Sequence, residues 1–293
     1  NCEIYNYREL REQLLSKGHR LATRSDTEVL VHLYEDEGFE AFRRLQGMFA
    51  VALWDHERRV AWLVRDRLGI KPLYYAIRQD EAGRGTFVVF SSEIPSLLEA
   101  LPDWRLRPEG VAEYLMHLYV PGPTTMIAGV HQLRPGEAMS ISDGRVELVR
   151  YYRPDETLYH HDQWTIKEAS SEVLRTFEET VKSHLVSDVP LGLFLSGGID
   201  SASLLAIMAK ERREPIKTFS IGYEHPSDQS FSELDSARFL ANHFKTLHSE
   251  TILRPDAVTL IAKVVEGMGE PFADSSAIPT YLVSEVARQT VTV

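Results

Sequence analysis

Residues 191–203 read LGLFLSGGIDSAS, and this stretch decides the fold of the second half of the chain. The apolar run Leu193–Leu195 is typical of a buried strand, and the segment Ile199–Lys210 is typical of a helix. Between them lies a glycine turn. A strand that passes through such a turn into a helix points backbone N–H groups at an anion. We therefore predict a phosphate site at residues 196–201.

The polar residues of the turn fit a phosphate that is accompanied by a cation. Ser196 and Ser201 supply hydroxyl donors, while Gly197 and Gly198 let the backbone approach an anion closely. Asp200 alone would repel phosphate, but Mg²⁺ takes carboxylate and phosphate oxygens together. The pattern is neither GxxxxGK nor GxGxxG, so the usual nucleotide loops are not supported. The alternative is an ordinary strand-to-helix turn that contains two glycines.

Composition excludes several classes of function. The chain has 293 residues, enough for two domains, and a net charge of −11, which argues against a nucleic-acid groove. No apolar run approaches the roughly 20 residues that cross a bilayer, and no signal peptide is visible. A single cysteine rules out an internal disulfide, and the eleven histidines show no spacing typical of a metal site. We expect a cytoplasmic protein.

The two ends of the sequence indicate a piece of a longer protein. The chain begins with Asn1 rather than methionine. The β-branched run Thr290–Val293 predicts a buried strand, which is an unusual place for a domain to stop. We expect further sequence at both ends.

The first half predicts an α+β domain rich in antiparallel pairs. Residues 48–55 (MFAVALWD) and 59–66 (RVAWLVRD) alternate as in a β-hairpin, and residues 73–77 and 86–91 predict two more strands. The polar segment Asp66–Pro72 is interpreted as a turn that feeds the next strand, rather than as a second site.

Strands and helices alternate in the second half. A long amphipathic helix is predicted at Ile166–Val186, and strands at 216–223 and 246–251. This alternation predicts a parallel sheet with helices on both faces. Ligands bind such sheets at the carboxyl ends of the strands, so the turn at 196–201 and Ile221 are expected at one edge.

Two sets of motifs resemble known families. The turn at 196–201 resembles the SGGxDS pyrophosphate loop of the ATP pyrophosphatases, which cut ATP between its α and β phosphates. The segment NCEIYNY at 1–7 resembles the NGEIYN segment of class II glutamine amidotransferase domains. Five further segments follow in that family's order: TRSDTEVL, LQGMFAVALWD, RDRLGIKPLYY, SSEIPSLL and HQLRPGEAMSI. The combination resembles the glutamine-hydrolysing asparagine synthetases over essentially the whole chain.

The resemblance implies a fold and an activity. It implies an N-terminal-nucleophile-hydrolase sandwich of antiparallel sheets at residues 1–152, a linker at 153–165, and an α/β parallel-sheet ATP-pyrophosphatase domain at 166–293. The implied reaction is ATP-dependent amidation of L-aspartate to L-asparagine through β-aspartyl-AMP, with ammonia from glutamine. ATP is the implied co-substrate and Mg²⁺ the implied metal. The expected partners are glutamine, aspartate and ATP, with no nucleic acid or membrane; a homodimer is one candidate assembly.

The resemblance also assigns roles in the first half. Asn1 and the amide of Cys2 would donate to an oxyanion, which needs preorganised donors. Glu3 and Asp26 would hold the glutamine substrate. For Asp26, helix capping is an equally good interpretation.

Cys2 stands where the family has glycine. The family's nucleophile is a cysteine at the mature N-terminus whose own α-amine is the general base, and the position of NCEIYNY places that cysteine outside this chain. We therefore expect the chain alone not to hydrolyse glutamine. An unusual backbone angle at the glycine position would make the Cβ of Cys2 disturb the oxyanion site.

In the second half, the resemblance places Leu195 and Ile221 against adenine, although ordinary core packing explains both equally well. Two other functions stay open at this point. One is a related ATP-dependent ligase that forms a β-lactam, a macrolactam or another natural-product amide. The other is a degenerate, non-catalytic paralogue, for which Cys2 is the only support.

Overall fold

The computed structural model describes residues 1–79, 85–154, 164–223, 233–253 and 257–293. The chain divides into two compact units. Unit 1 is Asn1–Asp162 with Met268–Phe272, and unit 2 is Gln163–Gly267 with Ala273–Val293. Most of the predicted linker lies outside the described residues. Within the described part of the chain, no helix has the length and apolar character needed to cross a membrane.

Unit 1 combines helices with antiparallel strands. Its helices are α1 (Tyr7–Ser16), α2 (Asp26–Glu37), α3 (Ala41–Arg44), α4 (Ile94–Leu98) and α5 (Pro108–His117). Its strands are β1 (Cys2–Ile4), β2 (Gly47–Asp55), β3 (Val60–Arg65), β4 (Tyr74–Gln79), β5 (Thr86–Ser91), β6 (Val130–Gln132), β7 (Glu137–Ser142) and β8 (Arg145–Arg150).

Two antiparallel sheets organise these strands. Their orders are β1-β2-β3-β7-β8 and β5-β4-β6. The predicted hairpin is confirmed, since β2 pairs antiparallel with β3 and Val51 lies opposite Val64. Helices α1 and α2 bury their apolar stripes in one cluster with Phe49 of β2, as a 3.6-residue period requires. The antiparallel α+β prediction for the first half is therefore confirmed.

A close approach between β1 and β2 holds the start of the chain in place. Ile4 lies opposite Gly47 in the antiparallel register. A Cβ built on Gly47 would fall 2.0 Å from the carbonyl oxygen of Glu3, far inside van der Waals contact. Glycine at this position lets β1, with its predicted site residues, pair with the sheet.

The turn after β3 is built around one carboxylate. Asp66 is fully buried. Its two oxygens accept four backbone N–H groups, those of Phe49, Leu68, Ile70 and Lys71, at 2.9–3.2 Å. This arrangement agrees with the structural interpretation of the segment Asp66–Pro72, because every contact of the carboxylate shapes the backbone.

Unit 2 alternates helices and strands as predicted. Its elements are α6 (Ile166–His184), β9 (Gly192–Phe194), α7 (Ile199–Glu211), β10 (Lys217–Tyr223), α8 (Leu234–Phe244), β11 (Leu247–Leu253), α9 (Ala257–Met268) and α10 (Ala277–Ala287). The strands form a parallel sheet in the order β11-β10-β9. One apolar cluster contains Leu205 of α7 and Ala237 of α8, and a second contains Phe219 of β10 and Val283 of α10.

The predicted strand at Thr290–Val293 is wrong. This segment is irregular, with Val291 buried and Val293 exposed. It makes a few backbone hydrogen bonds beside β9: Thr292 donates its N–H to the Pro190 carbonyl at 3.0 Å, and Gly192 donates its N–H to the Val293 carbonyl at 2.8 Å. Pro190 has no N–H to return, so the ladder is interrupted and β-branched residues alone do not make a strand.

Candidate nucleotide and glutamine sites

The glycine turn joins β9 to α7 in unit 2. Gly198 is the N-cap of α7 with φ −76° and ψ 156°, and no side chain caps this helix end. The first intrahelical bond runs from the Ala202 N–H to the Gly198 carbonyl at 3.1 Å. An uncapped helix N-terminus presents amide donors and a partial positive charge, which favour an anion.

The two serines of the turn bond to each other and to the backbone. The Ser201 hydroxyl accepts the Ser196 N–H at 3.2 Å and lies 2.9 Å from the Ser196 hydroxyl. It also lies within donating distance of the Ser196 and Gly198 carbonyls, at 3.1 and 3.2 Å. The structure thus gives the predicted phosphate donors a second role, which is to fix the shape of the turn.

Both glycine amides have acceptors within the protein. Gly198 donates to the Ser196 hydroxyl at 3.1 Å, and Gly197 donates to the Glu233 carboxylate at 3.1 Å. The first bond is internal to the turn. The second joins the turn to an exposed anionic group just before α8, so this amide is already used to bind a negative charge. Sequence reasoning missed Glu233, since only the fold brings it to the turn.

A cavity of about 500 Å³ lies between the turn and α8. Gly197, Gly198 and Ile199 line one side of it, and Ser236, Phe239 and Leu240 line the other. The two sides approach closely, because a Cβ on Gly197 would lie 2.7 Å from the Ser236 Cβ. Glycine at position 197 therefore keeps the turn and α8 together at the mouth of this cavity.

Asp200 lies on the first turn of α7 with its side chain exposed. It makes no hydrogen bond or ion pair with any residue that the structure describes. A free carboxylate beside amide donors has the donor chemistry that Mg²⁺ requires. Mg²⁺ is usually held by one or two carboxylates together with substrate phosphates and water, so the residues present fit a magnesium ion that arrives with a nucleotide.

The two predicted adenine contacts pack on opposite faces of the sheet, Leu195 directly after β9 and Ile221 in β10. Leu195 is buried in the cluster formed with α6, α7 and α8. Ile221 is half-buried and packs in the cluster that contains α10. The backbone of Leu195 is paired with β10, since its N–H donates to Phe219 at 2.8 Å and its carbonyl accepts from the Ser220 hydroxyl. The structure does not bring these two side chains together.

In unit 1, β1 carries two of the predicted glutamine-site residues, Cys2 and Glu3, at the edge of the five-stranded sheet, and Asn1 directly precedes it. Asn1 is fixed through its backbone, because its carbonyl accepts the Ala50 N–H at 2.9 Å and its α-ammonium donates to Ala50 at 3.2 Å. The side chains of Asn1 and Glu3 are exposed. Neither side chain packs in the core, so both are accessible to a ligand.

Asp26 connects helix α2 to β1. One carboxylate oxygen accepts the Ile4 N–H at 3.0 Å, and the other accepts the Thr27 N–H at 2.8 Å. Ser25 is the N-cap and also accepts from Thr27. Asp26 thus accepts one N–H group at the start of α2, as the capping interpretation expects, and one N–H group of β1. A role of Asp26 in binding glutamine stays a prediction.

Cys2 is accommodated in the strand without backbone strain. It lies in β1 and its φ is not positive. Its sulfur lies 3.2 Å from the Thr27 hydroxyl. Burial is the largest influence on the thiol and raises its pKa. A raised pKa disfavours the thiolate, which is the nucleophilic form.

Comparison with known proteins gives a family match for each half of the chain. Residues 1–152 match the family described as glutamine amidotransferase domain, and residues 172–293 match the family described as asparagine synthase. The chain belongs to the glutamine-hydrolysing asparagine synthetase family. It is 38% identical over 295 residues to asparagine synthetase [glutamine-hydrolyzing] 1 of Bacillus subtilis, covering 100% of this chain and 45% of that protein.

Further relatives agree with this family. Asparagine synthetase [glutamine-hydrolyzing] 3 of the same organism is 36% identical over 233 residues, covering 76% of this chain and 36% of its own. The chain spans about half the length of the curated relatives it matches. A solved structure of glutamine phosphoribosylpyrophosphate amidotransferase from B. subtilis superimposes with a TM-score of 0.39 at 14% identity, covering 95% of this chain and 73% of that chain. That superposition is too weak to bear on the fold.

Proposed function

We propose that this chain is part of an enzyme that makes L-asparagine from L-aspartate, ATP and glutamine. The observation that carries this proposal is the SGGIDS turn at the edge of a parallel sheet, in a chain that matches both domains of the family. Unit 1 would have the N-terminal-nucleophile-hydrolase fold and unit 2 the ATP-pyrophosphatase fold. The domain bounds would be 1–152 and 166–293, and the protein would act in the cytoplasm on small molecules.

In unit 2 the reaction would begin with adenylation. An oxygen of the aspartate side-chain carboxylate would attack the α-phosphorus of ATP, and pyrophosphate would leave. The amides of Gly197 and Gly198 and the N-terminus of α7 would bind that leaving group. Asp200 would hold Mg²⁺ together with phosphate oxygens, and the ion would neutralise their negative charge when bound. Ammonia would then attack the acyl carbon of β-aspartyl-AMP, and AMP would leave with its electron pair.

Phosphate binding at this turn would require an exchange of acceptors. Glu233 holds the Gly197 amide in the structure. Its carboxylate is exposed, so moving it into water leaves no buried charge without a partner. The Ser196 hydroxyl would likewise give up the Gly198 N–H, while its contact with the Ser201 hydroxyl keeps the turn in shape.

In unit 1 the exposed side chain of Asn1 and the amide of Cys2 would stabilise the oxyanion formed during glutamine hydrolysis. Glu3 and Asp26 would bind the glutamine substrate. The raised pKa of Cys2 supports the view that this thiol is not the nucleophile. The substitution Cys2→Ala is therefore expected to leave glutamate release from glutamine unchanged. Glutamate release that the substitution Cys2→Ala abolishes would contradict this.

The test of the proposed function uses the full-length protein with the substitution Asp200→Ala. Aspartate-dependent release of pyrophosphate from ATP should fall at least about a hundredfold, because a metal and transition-state ligand is lost. Glutaminase activity should be unchanged. Asp188→Ala, a substitution of an exposed carboxylate before β9, is the matched control. Unchanged asparagine synthesis by the Asp200→Ala protein would refute the assigned role, and other carboxylic acids offered in place of aspartate test the acceptor.

A further inference from the structure

Two imidazoles and one carboxylate converge in unit 1. His19 follows α1, where Gly18 turns the chain with φ +96°, while His32 and Glu35 lie one helical turn apart on α2. His19 Nδ1 lies 3.1 Å from His32 Nδ1. His32 Nδ1 lies 3.2 Å from Glu35 Oε2. All three potential ligand atoms lie within 4.8 Å of one another.

A second carboxylate faces the other nitrogen of each ring. His19 Nε2 lies 2.9 Å from Asp36 Oδ1, and His32 Nε2 lies 3.9 Å from Glu28 Oε1. The Asp36 carboxylate, at hydrogen-bonding distance from His19 Nε2, favours the His19 tautomer with its proton there, which leaves the His19 Nδ1 lone pair available. That lone pair and the Glu35 carboxylate both lie beside His32 Nδ1. Either a proton on His32 Nδ1 or a metal cation can hold these electron-rich atoms together.

Two of the three separations are close to those of a tetrahedral metal centre. Zinc binds imidazole nitrogen at about 2.0–2.1 Å, which places neighbouring ligand atoms roughly 3.3 Å apart. The separations that involve His32 Nδ1, 3.1 and 3.2 Å, are close to this value, and the third is within 4.8 Å. Two nitrogen donors and one oxygen donor suit a first-row transition metal better than Mg²⁺ or Ca²⁺.

Burial is also consistent with a metal centre. The side chains of His19 and His32 are only 17% and 20% exposed, whereas that of Glu35 is 59% exposed. The packed imidazoles are therefore held in place, and the open side next to Glu35 gives water access to the fourth coordination position.

We propose that His19, His32 and Glu35 form a binding site for a divalent transition metal of the zinc type. Asp36 orients the His19 imidazole, as the outer carboxylates of metal centres do. The bound ion joins the segment after α1 to α2. Because Asp26 at the start of α2 holds β1, the metal also stabilises the part of unit 1 that carries the predicted glutamine-site residues.

The test is a titration of the metal-free, tag-free chain with ZnCl₂ in a calorimeter. One equivalent of zinc should bind with micromolar or higher affinity, and the melting temperature of the chain should rise with zinc. His19→Ala and His32→Ala should each abolish binding, and Glu35→Gln should weaken it at least about tenfold, since a ligand is lost. Asp36→Asn should weaken it about tenfold through the orientation of His19.

His56→Ala is the matched control, because His56 is exposed in the turn between β2 and β3. It should leave zinc binding unchanged. Circular dichroism of each variant without zinc checks folding, and Glu35→Gln, at an exposed position, keeps the test valid even if a histidine variant unfolds. Cobalt(II) gives a second measurement, because a tetrahedral site produces intense visible absorption bands.

Failure to bind zinc in the folded chain would overturn the proposal, and would mean that the two rings share only a proton. Binding that Glu35→Gln and both histidine variants leave unchanged would overturn it as well, as would binding that His56→Ala removes.

Discussion

The Glu233 carboxylate accepts the backbone N–H of Gly197 at 3.1 Å, at the turn proposed to bind pyrophosphate. The protein thus places one of its own anions on an amide that the nucleotide would need. An internal anion of this kind competes with an external one, and it also keeps the amide oriented toward negative charge while no ligand is bound.

Glu233→Gln should therefore strengthen the binding of inorganic pyrophosphate measured without Mg²⁺. The neutral amide oxygen is a weaker acceptor than the carboxylate and no longer repels the ligand, so the dissociation constant should fall about three- to tenfold. Calorimetric titration of the chain with pyrophosphate measures this.

Asp235→Asn is the control for this experiment, because it removes an equal charge two residues from Glu233, in the lining of the cavity beside the turn. Asp235 is paired with Arg238 rather than with the turn, so the change in affinity should be smaller. Equal effects of both substitutions, or weaker binding by Glu233→Gln, would show that Glu233 does not compete with the ligand.

The two glycines of the turn should differ in their tolerance of alanine. A Cβ at position 197 would lie 2.7 Å from the Ser236 Cβ, and the turn must move away from α8 to relieve this overlap. A Cβ at position 198 meets only the Ser196 hydroxyl, at 3.1 Å, which can rotate. Gly197→Ala should weaken binding of ATP by at least about tenfold, and Gly198→Ala by less.

Equilibrium binding of a fluorescent ATP analogue ranks these two variants, with the melting temperature of each measured in parallel. The steric argument fails if Gly198→Ala is the more damaging substitution.

The Cys2 thiol should react slowly with iodoacetamide near neutral pH. Burial raises its pKa above that of a free cysteine, so the pH at which alkylation reaches half its maximal rate should lie above about 8.5 and should fall to that value in urea. Because the pKa is higher in the folded state than in the unfolded state, the thiol stabilises the fold at neutral pH. That stabilisation is lost as the pH rises through the folded-state pKa.

Thr27→Val supplies a directional control for Cys2. The Thr27 hydroxyl lies 3.2 Å from the sulfur, and this hydrogen bond lowers the pKa of the thiol. Its removal should move the alkylation profile to still higher pH. Mass spectrometry of the modified chain follows the reaction, and an alkylation rate equal to that of free cysteine would contradict the raised pKa.

Asp66→Asn should destabilise unit 1 by about 2–4 kcal/mol, since an amide NH₂ group at a fully buried position would then face backbone N–H donors. Urea denaturation measures the free energy of unfolding. Asp103→Asn, at an exposed position, should change it by less than about 0.5 kcal/mol. Equal effects at the two positions would disprove the structural role of Asp66.

Local patterns in the sequence were sufficient to predict the regular elements and the glycine turn at residues 196–201. Alternation predicted the hairpin of β2 and β3, and the strand-turn-helix pattern placed Ser196–Ser201 at the edge of a parallel sheet. In these cases neighbouring residues decide the structure. The run Thr290–Val293 was mispredicted because its pairing depends on Pro190, which is remote in sequence and lacks a donor.

Contacts between remote residues escaped prediction for the same reason. Glu233 and Gly197 are 36 residues apart, and His19 and His32 are 13 residues apart. No periodicity links such pairs, so only the fold brings them together. Spacing rules for metal ligands assume a single short loop or helix, and they therefore overlooked a pair of histidines that two different elements supply.

The contact between Gly47 and Glu3 makes the start of the chain sensitive to a mutation far from it in sequence. Any side chain at position 47 would overlap the Glu3 carbonyl and separate β1 from β2. The residues that this strand carries would lose their alignment with Asp26, although none of them had been altered. In a random mutant library, loss of the proposed glutaminase activity should therefore map to position 47 as often as to Asn1 and Glu3.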